Sequence, residues 1–292
     1  EHTDFVTPDS CDEVTGTCEA HVFLEVEEFE FLRQNGAYII DTRSQDEYLQ
    51  GHVPGAISGN WRAFTHPERN GLLWEEEEKL QQAVRDLGIK NDDTVIVLGV
   101  GDGSGGDATA GRFYWTLQYL GHEDVYLVNG GFQAWVDGRF GNLQAGLNEP
   151  TKSDYTIDIR PERRATIDEV IAAIEEDTLR LVDTRTVEEW MGEEMRNNPH
   201  AGHIPEAVHY HWENVFDENG KLRPKEDIRQ ELEDLGIVDG TLTIPYCQSG
   251  VRSGFFYAVL QWLDYPEAKN YDGSWWEWSR AAEDGEVDYI IP

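Results

Sequence analysis

The sequence predicts an α/β protein built from two tandem copies of one domain, each a mostly parallel sheet with helices on both faces. Three observations predict it. The chain repeats itself: I-I-D-T-R-S-Q-D-E-Y (39–48) returns as L-V-D-T-R-T-V-E-E-W (181–190), and G-H-V-P-G-A (51–56) as G-H-I-P-E-A (202–207). V-R-D-L-G-I (84–89) returns as L-E-D-L-G-I (232–237), and N-G-G-F-Q-A-W (129–135) as D-G-S-W-W-E-W (272–278). The offset is 142 residues at Asp41/Asp183 and 143 at Trp135/Trp278. Within each copy, short apolar runs alternate with longer helical patterns, which implies a parallel sheet covered on both faces. Finally, 292 residues suffice for two ordinary domains with real cores.

Residues 1–20 form an acidic, turn-rich leader. Val14 to Gly16 places Cys11 and Cys18 within reach of a hairpin-like clip, so a disulfide is expected, against two free thiols or half of a metal site. A disulfide implies an oxidising compartment, periplasmic or secreted, with the cytoplasm as the alternative. Residues 21–145 make the first domain. Its expected elements are a helix over Val22–Asn35, a strand over Ala37–Asp41, and a helix with an acidic face over Trp74–Leu87. A strand over Thr94–Leu98 follows, then a glycine-rich loop (Gly99–Gly111), a helix over Phe113–Leu120 and a strand over Val125–Val128. A polar stretch with Pro150 and Pro161 marks a linker over 146–162. Residues 163–292 make the second domain.

That domain is organised around Leu242–Leu263: a short buried strand, a tight loop opening at Cys247, and an apolar helix. Such a loop leaves unpaired N–H groups pointing into a cup. Those amides, on Gln248, Ser249, Gly250, Val251 and Ser253, act with the helix dipole and the Arg252 guanidinium to favour a thiolate at Cys247. The competing reading is a buried, inert thiol. Aligning Thr94–Leu98 with Thr241–Pro245 puts Val100 at the position of Cys247, so the first domain lacks a nucleophile. Its loop reads about four residues longer, too slack for the same cup. The glycines fit neither a phosphate loop nor a dinucleotide fingerprint. Asp102 and Asp107 read as a solvated acidic loop rather than a cation site.

The net charge of −35 argues against a nucleic-acid partner, and no window is apolar for long enough to span a membrane. Only six lysines are present, at 79, 90, 152, 221, 225 and 269. This acidity suits a salty medium, where screening acts over roughly 3 Å at 1 M, and equally an ordinary protein kept soluble by its charge.

The paired D-T-R…E-[YW]…G-H-[IV]-P signature, the D-G-S-W-W-E-W closing segment and the C-Q-S-G-V-R loop together resemble the tandem-domain rhodaneses, the thiosulfate and 3-mercaptopyruvate sulfurtransferases. The resemblance covers nearly the whole chain after about residue 20. It implies catalysis by Cys247 in the second domain. The thiolate would attack the outer sulfur of a small anionic donor, form a persulfide, and pass that sulfur to cyanide or a thiol. No cofactor beyond this covalent persulfide and no metal are implied. The resemblance also implies that Arg185 contacts the substrate anion, in competition with a salt bridge to Glu188 or Glu189, and that Arg43 is structural. Asp41 and Asp183 are expected to brace strand ends. Thiosulfate is the expected donor, because Arg252 makes the rim cationic; 3-mercaptopyruvate is the alternative, since Ser249, Gly250 and Val251 fit that group. A persulfide carrier or redox sensor would need only the cysteine and its cup. A phosphatase is disfavoured, because its loop carries one more residue between cysteine and arginine. His203 is explained by the G-H-I-P turn, and His209 shares a strand face with His211. Residues 191–199 form an insertion near the active mouth. Oligomeric state is not legible.

Overall fold

A computed structural model describes residues 7–19, 22–176 and 179–292. The expected boundary between leader and first domain, at residues 20 and 21, lies outside the described residues. In the leader, β1 (Cys11–Asp12) and β2 (Thr17–Cys18) form an antiparallel hairpin with Cys11 opposite Cys18, and a disulfide joins them. The turn is held by the Asp12 carboxylate, which accepts the N–H groups of Val14 and Thr15.

The first domain then runs β3 (Phe23–Leu24), α1 (Val26–Gln34), β4 (Tyr38–Asp41), α2 (Gln45–Gln50), β5 (Ile57–Ser58) and α3 (Glu77–Asp86). It closes with β6 (Val95–Leu98), α4 (Gly105–Tyr119), β7 (Val125–Val128) and α5 (Gly131–Asp137). The five strands pair in parallel in the order β3-β7-β6-β4-β5. β6 is buried along its whole length, as its unbroken Val-Ile-Val-Leu requires.

The second domain repeats this: β8 (Arg164–Ala165), α6 (Ile167–Glu176), β9 (Leu179–Asp183), α7 (Val187–Trp190), β10 (Val208–His209) and α8 (Lys225–Asp234). Then come β11 (Leu242–Tyr246), α9 (Arg252–Trp262), β12 (Asn270–Tyr271) and α10 (Ser274–Glu283). Parallel pairing gives β10-β9-β11 and β12-β8, and a parallel bridge from Thr243 to Ala268 brings the two groups together in the order seen in the first domain.

Two expected elements change. The helix expected from Val22 begins at Val26, because Glu25 and Glu28 form a reciprocal capping box and the two residues before it join the sheet edge. The helix expected from Phe113 begins at Gly105, capped by Ser104, so the glycine-rich loop is only Gly99–Ser104. The stretch 146–162 is not a free tether. Tyr155 is buried, its carbonyl accepts Arg85 Nε at 2.8 Å, and Ser153 Oγ donates to the Ile89 carbonyl at 2.5 Å.

The domains share one apolar core, because α4 and α9 pack directly against each other. Both helices are apolar nearly all round, as burial on every side demands. They approach at glycines: a Cβ on Gly111 would lie 2.2 Å from Phe255 Cα, and one on Gly254 2.9 Å from Arg112 Cα. Overpacking such a backbone contact costs about 1–3 kcal/mol. Gly111→Ala is therefore expected to destabilise the whole chain by that amount, read as a lower urea midpoint, with the leader hairpin unaffected.

Candidate active site

Cys247 follows β11 directly, at the carboxyl end of a central parallel strand, and α9 begins five residues later at Arg252. The loop is drawn around one hydroxyl. Ser274 Oγ accepts the amides of Cys247 and Gly250, both at 3.0 Å, and donates to the Tyr271 carbonyl at 2.7 Å. This leaves the amides of Ser249 and Ser253 to bond the sulfur, with Ser253 Oγ 3.7 Å away. Burial pushes the Cys247 thiol up, but the Arg252 charge, those two amides and the Ser253 hydroxyl outweigh it, and the net shift is downward. The sulfur-bearing residue is 1% exposed, yet two amides, a hydroxyl and a cation face the sulfur. The burial of an inert thiol would lack them.

Arg252 is itself paired. Its two terminal nitrogens donate to Glu189 at 2.6 and 2.9 Å. Glu189 is fully buried and also closes the capping box of α7 with Thr186. Burial opposes its charge, but hydrogen bonds and attraction from Arg252 hold its carboxyl down at about 2.

Arg185 departs from the expectation of an anion contact. It is 1% exposed, with Nε and Nη2 on Asp183 at 2.9 and 2.6 Å and Nη2 also on the Gly202 carbonyl at 2.7 Å. Its partner is Asp183 rather than Glu188 or Glu189. Arg43 makes the same contacts to Asp41 and the Gly51 carbonyl. In both copies the D-T-R triplet pins the strand end to the G-H turn. The two aspartates brace strand ends as expected, Asp183 also accepting Tyr246 Oη at 2.7 Å.

The insertion reaches the loop. Asn198 and Gln248 exchange two amide hydrogen bonds at 3.0 Å each, and Arg280 Nη1 reaches Asn198 Oδ1 at 3.3 Å. Gln248 is thus anchored by residue 198, which no sequence pattern indicated. His203 stacks on Trp190 and bonds its carbonyl, while His209 stacks on the same indole and bonds the Arg185 carbonyl. Trp275 and Trp278 are buried packing residues, with indole nitrogens on the His200 and Asp288 carbonyls.

The first domain holds a matching cup, which corrects two expectations. β4 and β9 give the register: Thr42 N donates to the Leu98 carbonyl as Thr184 N does to that of Tyr246. Phe132 N then meets the Gly99 carbonyl as Trp275 N meets that of Cys247. Gly99, not Val100, therefore stands at the position of Cys247. The loop is not slack either. Its amides at Gly101, Asp102 and Gly103 converge on the Asp107 carboxylate at 2.8, 3.1 and 2.8 Å. A Cβ on Gly99 would lie 2.4 Å from Asp107 Oδ1, so the carboxylate fills the space a cysteine would need. Burial pushes Asp107 up to about 6 despite its three donors.

The scaffold is a duplicated α/β fold in which one loop, at the carboxyl end of a central strand of the second domain, holds a cysteine among amides and beside an arginine. The rhodanese-like domain matches twice, over residues 25–137 and 166–281, and the chain belongs to the rhodanese family. It is 32% identical over 247 residues to a thiosulfate sulfurtransferase of Azotobacter vinelandii, covering 82% of this chain and 87% of that protein. It is 36% identical over 245 residues to the sulfur carrier protein TtuD of Thermus thermophilus, covering 79% and 83%. The crystal structure of SseA from Escherichia coli, a 3-mercaptopyruvate sulfotransferase, superposes with a TM-score of 0.74 at 27% identity, covering 88% of this chain and 99% of that one.

Glu189 ties acid stability to the site. Its folded value, about 2, lies below the ordinary 4.5, so its contribution is complete above pH 4.5 and lost as pH falls towards 2. Glu189→Gln is expected to lower stability at pH 7 by about 3 kcal/mol, with a flatter decline between pH 4.5 and 2 in urea titrations.

Proposed function

We propose that the chain is a thiosulfate sulfurtransferase that works through a persulfide on Cys247. The observation that carries this reading is the sulfur itself, held among the Ser249 and Ser253 amides with Arg252 beside it. The thiolate attacks the outer sulfur of thiosulfate; a Cys247 sulfur–sulfur bond forms, the bond to the sulfite sulfur breaks, and sulfite leaves with the electron pair. The loop amides that hold the thiolate then hold the terminal persulfide anion, in the manner of an oxyanion hole. Cyanide attacks that outer sulfur, thiocyanate leaves, and the Cys247 thiolate is restored. A thiol acceptor is converted to its own persulfide in the same way. No cofactor takes part.

The likeness to SseA favours a second donor, 3-mercaptopyruvate, whose sulfur transfer leaves pyruvate. The likeness to TtuD favours delivery of the persulfide sulfur to a protein thiol rather than to cyanide. The leader disulfide supports a periplasmic or secreted location.

Incubation with thiosulfate and no acceptor is expected to add one sulfur atom to the intact mass, located on Cys247, and cyanide is expected to remove it as thiocyanate. Cys247→Ser is expected to lose thiocyanate formation by about 10³-fold or more; retained turnover in that variant refutes the nucleophile. Parallel rates with thiosulfate and 3-mercaptopyruvate, with cyanide or dithiothreitol as acceptor, decide the donor.

A further inference from the structure

The catalytic cup is closed from behind by the other domain. Arg112 lies in the middle of α4 and is fully buried, although the residues around it are apolar and aromatic. Its guanidinium crosses the domain boundary. Nη1 donates to the Ser249 carbonyl at 3.1 Å, and Nη2 donates to the Gly71 carbonyl. Nε has no hydrogen-bond partner among the described residues, and the group lies over the rings of Trp115 and Trp61, 4.7 and 5.3 Å from their centroids. Gly71 and Gly250, both at positive φ, make room for it. A Cβ on Gly250 would lie 2.4 Å from Arg112 Nη1, and one on Gly71 2.3 Å from the Ser249 carbonyl oxygen.

The geometry of the cup explains why a donor is needed there. For the Ser249 and Ser253 amides to face the sulfur, the carbonyls of the loop between them must point away from it, and those of Ser249 and Gly250 point into protein. Asn270 Nδ2 satisfies the Gly250 carbonyl at 3.1 Å. Ser274 Oγ holds the Gly250 amide, at the other end of the 249–250 peptide. Arg112 supplies the remaining donor, on Ser249, and so fixes the peptide that follows the Ser249 amide.

We propose that Arg112, from the domain without the cysteine, is a positioning residue for the nucleophile: it caps the outward Ser249 carbonyl and sets an unpaired cation behind the cup. This rests on the reading of Cys247 as the sulfur-transfer nucleophile. Burial lowers the affinity of Arg112 for its proton to about 10, which leaves it cationic at neutral pH. The charges facing it are Asp272, Arg164, Arg62 and Cys247. Of these, Asp272 is committed to Arg164 Nε at 2.8 Å and to the Leu73 amide at 3.0 Å. Cys247 in turn faces Arg252, which Glu189 neutralises in part. The cysteine-free domain is thereby part of the active-site wall.

The test is the pH profile of Cys247 alkylation by iodoacetamide in the full chain with the leader disulfide intact, which leaves one free thiol. Arg112→Met is expected to raise the midpoint by about one pH unit, with alkylation at neutral pH slowed several-fold. Arg112→Lys, which keeps the charge on one arm, is expected to shift it about half as far. In thiosulfate:cyanide turnover both variants are expected to lose kcat with KM little changed. Both titrating at the wild-type midpoint overturns the proposal. Should Arg112→Met not fold by circular dichroism, Arg112→Lys carries the test, and a wild-type midpoint in it overturns the proposal. A wild-type thiol that titrates in the ordinary range or above sinks the reading of Cys247 as well, which separates the two failures.

Discussion

A negative sulfur inside a protein needs donors on all sides, and a chain that turns its amides inwards must turn its carbonyls outwards. Those carbonyls are buried here, so each needs a donor of its own. Much of the second domain answers that demand. Ser274, held at positive φ (+52°), anchors two loop amides; Asn270 and Arg112 cap two loop carbonyls; Trp275 and Trp276 donate to the Cys247 and Gln248 carbonyls. The D-G-S-W-W segment is therefore the floor of the site and its support at once.

The first domain is an internal control for this logic. The same strand register and the matching backbone contact from α5 again turn loop amides inwards, here those of Gly101, Asp102 and Gly103, but a glycine stands where the cysteine would be. An amide cup without an anion would leave buried donors unpaired, and Asp107 supplies the anion from within. Two residue choices, glycine at 99 and aspartate at 107, turn a thiolate site into a closed structural loop. The scaffold tolerates the exchange because a carboxylate and a thiolate make the same demand on it: negative charge at one point.

The duplication, the alternating elements, the leader clip and the cysteine loop were legible because each depends on local pattern. What escaped depends on contacts remote in sequence. Residues Arg112 and Ser249 are 137 apart, and Asn198 and Gln248 are 50 apart. A signal for the first exists: one arginine within T-A-G-R-F-Y-W-T-L, a helix apolar on every face, must find a buried acceptor. The alignment at Val100 was one residue out because it paired Leu98 with Pro245, whereas the hydrogen bonds from β4 and β9 pair Leu98 with Tyr246. The partner of Arg185 was not legible because it lies two residues away in the same triplet, a pairing that only the bend at the strand end makes possible.

Charge pairing also bears on how an anionic donor arrives. Three arginines near the loop each have a carboxylate within hydrogen-bond distance: Arg185 on Asp183, Arg252 on Glu189 and Arg164 on Asp272. Seen from a Debye length away, each pair is close to neutral, and the surface beyond carries most of a net charge of −35. The site therefore attracts anions only at short range, through amides and the fraction of each guanidinium its partner leaves uncompensated. Long-range steering opposes entry of any anion, and salt relieves that opposition by screening the exterior while the buried pairs and amides, shielded from ions, keep their strength. Capture by the cup and approach to it are thus governed by different charges, and ionic strength acts on the second alone.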